Sequence, residues 1–592
     1  MLDKSSASII GKLLGTRDWF WKGGTVTEQS KFNLLDEPWV HVEFVDGNYQ
    51  TLSLRDCFAR ACQIRRLAFG QDAVNFAVLR VMVAIVQRTL YVASAANRGW
   101  NAPTWQHAYQ NPKETLELVE QYLETWRDRF FLFDRERPFF QHPTVHKADN
   151  TYFKIDKFLS DVPDNKRLFT MRIGAGTDNL SYPDAAAQLI HLQAFAPSGT
   201  LSGAVGDERV KQGKGYPIGT GWAGAQGGVY VEGGTLFSTL MLNTLAIGQP
   251  GEESEEAQGT GIITANPEVD LPAWECEEQP VGQRSDIYPQ GLADMLTWQS
   301  RRVRLIDGGN SVIGVVLCQG DRLGEMKTSA FANAQIREPM GVWRFSEPQT
   351  RKNKRITYMP RKHDPSRAIW RGITSLLPEF PGKTATYKEV QVEASLPPAV
   401  VRWVGWLLSN GYLPESTIYR LRSCGYEYGD QESYFVEAIS DYLTVPSRLL
   451  TGKDQESLYL VKTAMELVDE LASAIAALAG NLQRAIGAED TSLTTRTTRE
   501  RFYSEIDSQF RAWLLGVGSA NYDLDSLWEA GYGIAKKLES ELLTAAPDEA
   551  MKGRVKNGTV FDLPNCVKWF AIKLSKTKSK VSAFNDSKEN HE

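Results

Sequence analysis

Motifs for metal binding and nucleophilic catalysis are missing from this 592-residue sequence, which contains only seven histidines and six cysteines. It has no CxxC pair and no HExxH motif, the patterns that most often mark zinc sites. It also has no GxSxG elbow and no GxxxxGK[ST] phosphate loop. The sequence therefore offers no motif for a metal, a cofactor or catalysis.

The few cysteines and histidines are spread along the chain. Cys57 and Cys62 are five residues apart on a predicted helix, and we expect both in the core. His142 and His146 are four residues apart, but their segment contains proline and predicts a loop, which favours two surface histidines over a metal site. Scattered cysteines indicate a reduced, cytoplasmic protein.

Long apolar runs are also absent. No run reaches the roughly 18 residues that a membrane helix requires, so we expect no membrane partner. Residues 1–21 lack the pattern of a signal peptide. The apolar content is nevertheless 42%, with 16 tryptophans, which predicts a large packed core. The length predicts two to four domains.

Charge is unevenly distributed, although the net charge is only −6. Residues 251–280 are strongly acidic and interrupted by glycine and proline, and we expect an exposed loop there. Residues 349–372 carry eight lysines or arginines against one aspartate. Tyr358 and Trp370 lie among these basic residues, and their rings could pack in the protein or stack on nucleobases. This pattern is typical of nucleic-acid binding. A solvated charged hairpin is an equally good interpretation. The basic residues that we expect to contact a nucleic-acid backbone are Arg351, Lys352, Lys354 and Arg355.

Hydrophobic periodicity predicts an α+β fold followed by a helical bundle. The apolar segment 72–94 predicts a buried helix, and amphipathic spacing predicts another helix over 114–133. From about residue 440, four helical patterns with short polar breaks favour an up-down four-helix bundle. The predicted parts are an extension over 1–31 without assigned function, a large mixed α+β domain over 32–440, a four-helix bundle over 441–575 and a disordered tail over 576–592.

Several short segments occur in the order found in one known family. They are FNLLDEPWV (32–40), DRFFLFDRERPFFQ (128–141), RLFTMRIGAGTDNL (167–180), STLMLNTL (238–245), GYEYGDQES (425–433) and RERFYSEIDSQF (499–510). On these segments the chain resembles the large subunit (CasA) of the type I-E CRISPR surveillance complex, Cascade. The resemblance covers roughly residues 32 to 575.

The resemblance implies recognition of the short motif beside the target, the PAM, from the minor groove of duplex DNA. It also implies a hairpin whose glutamine wedges open the first base pair. GYEYGDQES matches this hairpin, with Gln431 at the wedge and Gly429 and Asp430 beside it. Without the resemblance, an ordinary turn is the better interpretation. The implied minor-groove loop has APSGTLSGAV as its candidate, with Gly199 and Gly203.

A second implied loop reaches the 5′ handle of the guide RNA. Phe169 falls at its aromatic anchor, and Gly174 and Gly176 allow a close approach. The alternative is that Phe169 belongs to the core and that the glycines only form a turn. The PAM-contacting lysine of the family has no clear counterpart, and Lys327 or Arg337 could substitute. Some members carry a cysteine cluster where this chain keeps only Cys318, so we expect no metal.

The implied function is target recognition in an RNA-guided complex, without catalysis. The implied partners are the CRISPR guide RNA 5′ handle, target double-stranded DNA, the backbone, handle-binding and small subunits, and the helicase–nuclease. The bundle is implied to contact the small subunits and the displaced strand. Two alternatives stay open. One is an RNA-binding scaffold that reads no DNA motif. The other, less favoured, is an enzyme acting on a phosphorylated small molecule through the glycine-rich region 199–228.

Overall fold

The computed structural model divides the chain into two units. The first comprises residues 1–365, 384–414 and 419–442, and the second comprises 366–383, 415–418 and 443–592. Mixed helices and strands in the first unit and long helices in the second confirm the predicted α+β class with a C-terminal bundle. The structure describes residues 31–95, 99–161, 178–225, 227–246, 268–277, 279–284, 288–322, 338–354, 356–361, 367–380, 384–388, 390–414, 418–519 and 522–589.

The first unit combines short helices with small sheets. Its described α-helices are Leu54–Ala59, Asp72–Ala95, Ala102–Gln110, Pro112–Thr125, Tyr182–Phe195, Leu236–Leu242, Leu292–Leu296, Glu347–Asn353 and Ala399–Ser409. Its strands are Lys31–Asn33, Val40–Phe44, Tyr49–Leu52, Ile64–Leu67, Phe131–Phe133, Leu201–Ser202, Lys214–Gly215, Gly228–Glu232, Arg301–Asp307, Val312–Gln319, Trp343–Phe345, Tyr358–Pro360, Thr384–Tyr387, Val390–Glu393, Ser395–Leu396, Ile418–Tyr428 and Phe435–Pro446.

The helix Asp72–Ala95 forms the centre of the first unit, and the buried helix predicted over 72–94 is confirmed. Its core arginines are ion-paired, with Arg80 Nη1 2.5 Å from Glu338 Oε1 and Arg88 Nη2 2.7 Å from Glu275 Oε2. Burial removes the hydration of a guanidinium, so such partners are required. Among the described residues this is the one helix with the length and apolar composition to cross a membrane, and it lies buried as a core helix does.

The acidic segment is not exposed over residues 270–276, so the expectation of an exposed loop is wrong there, whereas Glu268, Val269 and Glu277 are exposed. Asp270 is 3% exposed and caps the helix Leu292–Leu296. Its carboxylate accepts hydrogen bonds from the backbone N–H groups of Ala293 at 3.2 Å and Asp294 at 2.9 Å. Burial raises the pKa of Asp270 to about 6. Asp270 and Glu275 serve as partners in the core because the start of the helix Leu292–Leu296 and the buried Arg88 need hydrogen-bond acceptors. Residues 251–267 lie outside the described residues.

Three further sequence-based expectations are corrected by the structure. The helix predicted over 114–133 ends at Thr125, because the following FLF forms the strand Phe131–Phe133, which pairs with Lys31–Asn33. Cys57 is buried as expected, but Cys62 is exposed. His142 is 5% exposed rather than a surface residue, and its Nε2 lies 2.8 Å from the carbonyl oxygen of Gln279.

The second unit is built around one long helix. Gln455–Ala485 packs against the three other long helices, as in the predicted bundle. Its apolar residues recur with helical spacing, which buries a continuous stripe. The described α-helices and strands of this unit are Ser447–Leu450, Gln455–Ala485, Ser492–Gly516, Asp525–Thr544, Glu549–Lys552, Arg554–Lys556, Thr559–Phe561 and Leu563–Glu589.

The lysine-rich end of the chain is helical, so the prediction of a disordered tail over 576–592 is wrong for residues 576–589. Leu574, Thr577 and Val581 are buried and follow one face of the helix Leu563–Glu589. The Thr577 hydroxyl donates a 2.9 Å hydrogen bond to Glu470 of the central helix. Lys580 also pairs with Glu470. An apolar face at helical spacing outweighs the high lysine content here.

The segment around Trp370 belongs to the second unit, although sequence analysis placed it in the large domain. Trp370 is 1% exposed and stacks on Phe510 with ring centroids 4.2 Å apart. Its indole N–H donates to Asp507 at 2.7 Å, and Arg371 Nη1 lies 2.7 Å from Glu500. An aromatic ring and an ion pair therefore bind this segment to the helix Ser492–Gly516.

Candidate nucleic-acid interface

A hairpin carries the segment GYEYGDQES. The strand Ile418–Tyr428 pairs antiparallel with Gly228–Glu232 on one side and adjoins Phe435–Pro446 on the other. Tyr426 and Phe435 have ring centroids 4.2 Å apart at the base of the turn. Behind them, His191 Nε2 lies 3.1 Å from the Tyr426 hydroxyl oxygen. These contacts among Tyr426, Phe435 and His191 fix the end of the hairpin.

The turn itself is tight and internally hydrogen-bonded. Gly429 N–H donates to the Tyr434 carbonyl oxygen at 2.9 Å, and Glu432 N–H donates to the Gly429 carbonyl oxygen at 2.8 Å. Gln431 has φ 54° and ψ 22°, and Glu432 has φ 58°. Two successive non-glycine residues in the left-handed region cost on the order of 1–2 kcal/mol each. The fold therefore holds the backbone of Gln431 and Glu432 in a conformation that these residues would not prefer, and the side chains of Asp430 and Gln431 are exposed at the tip.

Gly429 lies in close contact with the ring of Tyr434. A Cβ added to it would lie 2.1 Å from Cζ of Tyr434 and 2.3 Å from Cε2. The backbone of the turn therefore lies directly against the Tyr434 ring, and a side chain at position 429 would require this ring to move.

The loop that contains Gly199 lies open on the surface of the first unit. Gly199 is half-buried, and a Cβ added to it would meet no atom within 4 Å, so there is open space directly beside its Cα. The Gln319 side-chain amide donates a 2.8 Å hydrogen bond to the Gly199 carbonyl oxygen. This bond fixes the position of the loop.

Gly203 has a different environment from Gly199. A Cβ added to Gly203 would lie 2.3 Å from Val210 Cγ1, and its backbone N–H donates to the Gly213 carbonyl oxygen at 2.9 Å. Gly203 is buried in the fold and is not an open position. Of the two predicted groove glycines, only Gly199 faces open space.

The structure brings the Gly199 loop and the Gln431 turn together. Ser198 N–H donates a 2.8 Å hydrogen bond to the carbonyl oxygen of Glu432. The Tyr428 hydroxyl donates a 2.8 Å bond to the carbonyl oxygen of Phe195, 233 residues away in the sequence. We define the glycine–glutamine surface as residues 196–200 and 429–433. Sequence analysis missed Ser198, Tyr428 and Gln319, because polar residues in loops carry no signal for such long-range contacts.

The sequence matches the family described as CRISPR-associated protein Cse1 over residues 33–543. The chain belongs to the Cse1 family. The CRISPR-associated protein CasA/Cse1 of Thermus thermophilus is 25% identical over 466 residues, which make up 78% of this chain and 79% of the relative. The crystal structure of Thermobifida fusca Cse1 is 31% identical, with a TM-score of 0.78, and the match covers 93% of this chain and 98% of that chain.

The Cse1 fold also occurs in a larger assembly. A chain in a structure named CRISPR RNA-guided surveillance complex has a TM-score of 0.64 at 16% identity, and the match covers 92% of this chain and 99% of that chain. The resemblance to the type I-E large subunit is therefore confirmed at the level of the family. The individual site residues remain predictions.

The basic segment of this Cse1 chain is divided by the structure. Arg351, Lys352 and Lys354 are exposed at the end of the helix Glu347–Asn353, and Arg351 Nη2 lies 2.5 Å from Glu347. Tyr358 is 9% exposed and Trp370 1%, so these two rings pack in the interior, and the idea that they stack on bases is wrong. Arg355 lies outside the described residues.

Other predicted positions also lie outside the described part of the chain. They are the guide-handle residues Phe169, Gly174 and Gly176, and the basic candidates Lys327 and Arg337. Within the described part, no group of three or more His, Cys, Asp or Glu residues could hold a metal ion. Cys318 is buried, and its burial raises the pKa of the thiol to about 12.

The second unit of this Cse1 chain has a basic groove of its own. It has a volume of about 580 Å³ and opens at the start of the helix Ser492–Gly516. Three acidic residues, Glu489, Asp490 and Glu500, also line the groove, and Glu500 is paired with Arg371. The basic residues that line it are Arg367, Arg484, Arg496 and Arg499.

Proposed function

We propose that this Cse1-family protein is the non-catalytic large subunit of an RNA-guided surveillance complex and reads the PAM of target duplex DNA. The observation that carries this proposal is the contact between the Gly199 loop and the Gln431 turn through Ser198 and Glu432. Reading the motif would require the Gly199 loop, and opening the strands would require the Gln431 turn. Because the two are in contact, they form one surface. The shared fold of a chain in an RNA-guided surveillance complex supports the proposed assembly.

The Gly199 loop would enter the minor groove. That groove is only about 6 Å wide, so backbone and very small residues fit best. Gly199 offers a backbone with open space around its Cα, and Gln319 holds its carbonyl oxygen from behind. Minor-groove patterns distinguish mainly A·T from G·C pairs, so this reader would tolerate several related motifs.

The Gln431 turn would act beside the groove as the wedge. Its side chain is exposed at the tip and its backbone is fixed by the turn hydrogen bonds. Unpairing a base costs a few kcal/mol, and guide pairing offsets this cost. A rigid amide at the first base pair can hydrogen-bond a separated base edge and so stabilise the open state.

Further contacts would come from basic residues of both units. Lys352 and Lys354 are exposed and suit a nucleic-acid backbone. The arginine-lined groove of the second unit suits the displaced strand, beside the small subunits. We also propose that residues 167–180 contact the guide handle and that the chain offers a docking surface for the helicase–nuclease. The proposed location is the cytoplasm.

The test is binding of the assembled complex to duplexes with one matched target and varied flanking trinucleotides at one fixed salt concentration. Wild type is compared with Gly199→Asp and Gln431→Ala. We expect affinity to depend on the flank in wild type and this dependence to disappear in Gly199→Asp. We expect Gln431→Ala to bind initially but to open the duplex at least about tenfold more slowly, which corresponds to about 1.4 kcal/mol.

Gly234→Asp is the matched control, because a Cβ at Gly234 also meets no atom within 4 Å and the added charge is the same. It should behave as wild type. If the flanking sequence makes no difference to wild-type binding, the chain is a scaffold that reads no DNA motif, and the wedge and glycine-loop assignments fall together.

A further inference from the structure

A short hairpin in the second unit carries valines on its outward face. Its strands Arg554–Lys556 and Thr559–Phe561 pair antiparallel, and Val555 lies directly opposite Val560. Val555 is 71% exposed and Val560 is 44% exposed, and no other large apolar side chain in the described part of the chain is as exposed as Val555. Valine favours strands, but an exposed valine adds little burial energy to the fold. The described residues therefore leave this apolar pair largely uncovered.

The opposite face of the hairpin packs on the second unit. Side chains alternate between the two faces of a strand, so Lys556 and Phe561 share the face that points away from the valines. The Phe561 ring lies 5.6 Å from the ring of Trp569, between centroids. The Lys556 Nζ lies 3.5 Å from the carbonyl oxygen of Glu489. These contacts bind the inner face to the unit and leave the two valines pointing outward.

The backbone fixes both the tip and the start of the hairpin. At the tip, Asn557 has φ 49° and Gly558 has φ 75°. Two successive residues with positive φ are typical of a type I′ turn, whose twist matches that of the paired strands. At the start, Gly553 has φ 68°, and a Cβ added to it would lie 2.4 Å from the carbonyl oxygen of Phe561. A surface that is already formed loses little conformational entropy when a partner binds.

Positive charge is concentrated in the hairpin and in the helix that follows it. Residues 550–585 contain eight lysines or arginines and one acidic residue, Asp562, in a chain whose net charge is −6. Two exposed acidic residues, Asp548 and Glu549, come directly before this segment. Such an excess of one sign attracts acidic surfaces. All eight basic residues are exposed, namely Lys552, Arg554, Lys556, Lys568, Lys573, Lys576, Lys578 and Lys580.

These observations together select one kind of partner. A second copy of the chain does not fit, because a symmetric contact would bring the same basic residues of both copies together. A nucleic acid fits the charge but not the outward face, since a valine side chain offers no hydrogen-bond donor to a phosphate. A protein surface with an apolar patch bordered by carboxylates matches both the valine pair and the basic residues around it.

We propose that Val555 and Val560 dock on an apolar patch bordered by aspartate or glutamate on another protein subunit of the complex. This inference rests on the proposed function, because that function supplies the assembly. The valine pair would lie in the dry centre of the contact. Lys552 and Lys556 would face the carboxylates at its rim, where charges contribute mainly to orientation and to the rate of association.

The experiment measures, by biolayer interferometry at one fixed salt concentration, how the full-length chain binds the other subunits and the guide RNA, purified together without it. Val555→Thr combined with Val560→Thr keeps the shape and the strand preference of the side chains but places two hydroxyl groups in the contact. We expect binding to weaken at least about tenfold. The matched control is Val45→Thr combined with Val269→Thr, since these valines are 59% and 46% exposed elsewhere. It should bind as wild type.

Two further measurements identify the partner. Lys552→Glu combined with Lys556→Glu should also weaken binding, and stronger or unchanged binding overturns the acidic rim. A photo-crosslinking amino acid placed at Thr559 should attach to a protein subunit, whereas attachment to the guide RNA or to a second copy of the chain overturns the proposal. Unchanged binding by the valine variant, or equal weakening by its control, also overturns it. If wild type does not bind the other subunits at all, the proposed function itself is contradicted, so the two failures are distinguishable.

Discussion

Ser198 donates its backbone N–H to the carbonyl oxygen of Glu432 at 2.8 Å. Ser198 directly precedes Gly199, and Glu432 directly follows Gln431, so this bond joins the proposed groove reader to the proposed wedge. Because both partners are backbone groups, the contact fixes the positions of the two loops without engaging the side chain of either residue.

Replacing Ser198 tests whether this bond couples the two loops. Ser198→Pro removes the N–H donor, whereas Ser198→Ala keeps it. We expect Ser198→Pro to cost about 1 kcal/mol of unfolding free energy and to weaken the flank dependence of duplex binding, with Ser198→Ala close to wild type. Urea unfolding and duplex binding of the assembled complex measure the two effects. Equal behaviour of the two variants would contradict the coupling.

The two glycines of the 196–205 loop should respond differently to alanine. Gly203→Ala forces a methyl group into Val210 and should cost about 1–3 kcal/mol of unfolding free energy. Gly199→Ala meets open space and should leave stability within about 0.5 kcal/mol of wild type. Thermal unfolding of both variants checks this. Val210→Ala combined with Gly203→Ala should recover part of the loss, and failure to do so would contradict the steric explanation.

Gln431 allows backbone geometry to be separated from side-chain chemistry. Its φ of 54° favours glycine, so Gln431→Gly should be as stable as wild type or up to about 1 kcal/mol more stable. Gln431→Ala keeps the left-handed strain, and both variants lack the amide. We expect both to slow duplex opening equally, measured by fluorescence of a base analogue at the first base pair. Normal opening by Gln431→Gly would assign the effect to the turn rather than to the amide.

His191 should make stability depend on pH. Burial lowers its pKa to about 3, so between pH 6.5 and 3 the unfolded chain binds one more proton there than the folded chain. Stability from this group is present above the unfolded pKa and falls by about 1.4 kcal/mol per pH unit as pH drops below 6.5. Asp270, whose pKa is raised to about 6, acts in the opposite direction and is common to all variants.

The check is urea unfolding of wild type and His191→Gln at pH 7, 6, 5 and 4. Glutamine can still hydrogen-bond Tyr426 but does not titrate. The stability difference between the two proteins should shift toward the variant by about 1.4 kcal/mol per pH unit below pH 6.5. A difference that is constant across this range would show that His191 becomes protonated in the folded protein without cost.

Sequence patterns predicted the elements with strong periodicity. The buried helix over 72–94 and the four bundle helices were identified because apolar residues repeat at helical spacing over long segments. The tail over 576–589 was assigned incorrectly, since its two buried residues, Thr577 and Val581, are a weaker signal than the surrounding lysines. Composition was also misleading for residues 270–276, where Asp270 and Glu275 are partners of buried groups and not parts of a solvated loop.

The candidate site was predicted only in part. Gln431 and Gly199 were identified from the family resemblance, and the structure adds that their loops are in contact. Ser198 and Gln319 could not be found this way, because a hydrogen bond between distant loops leaves no local pattern in the sequence. Gly203 was also assigned to the groove loop, although it packs against Val210. The sequence alone does not distinguish such a packed glycine from one that faces open space, such as Gly199.

The hydrogen bond between Tyr428 and Phe195 closes a span of 233 residues. Contacts of such long range form late, because the chain entropy of closing the loop must be overcome first. During synthesis, the first 200 residues would already expose the glycine loop, but its partner would not yet have left the ribosome. A chain cut short before residue 428 would therefore lack one of the two loops of the proposed DNA-reading surface.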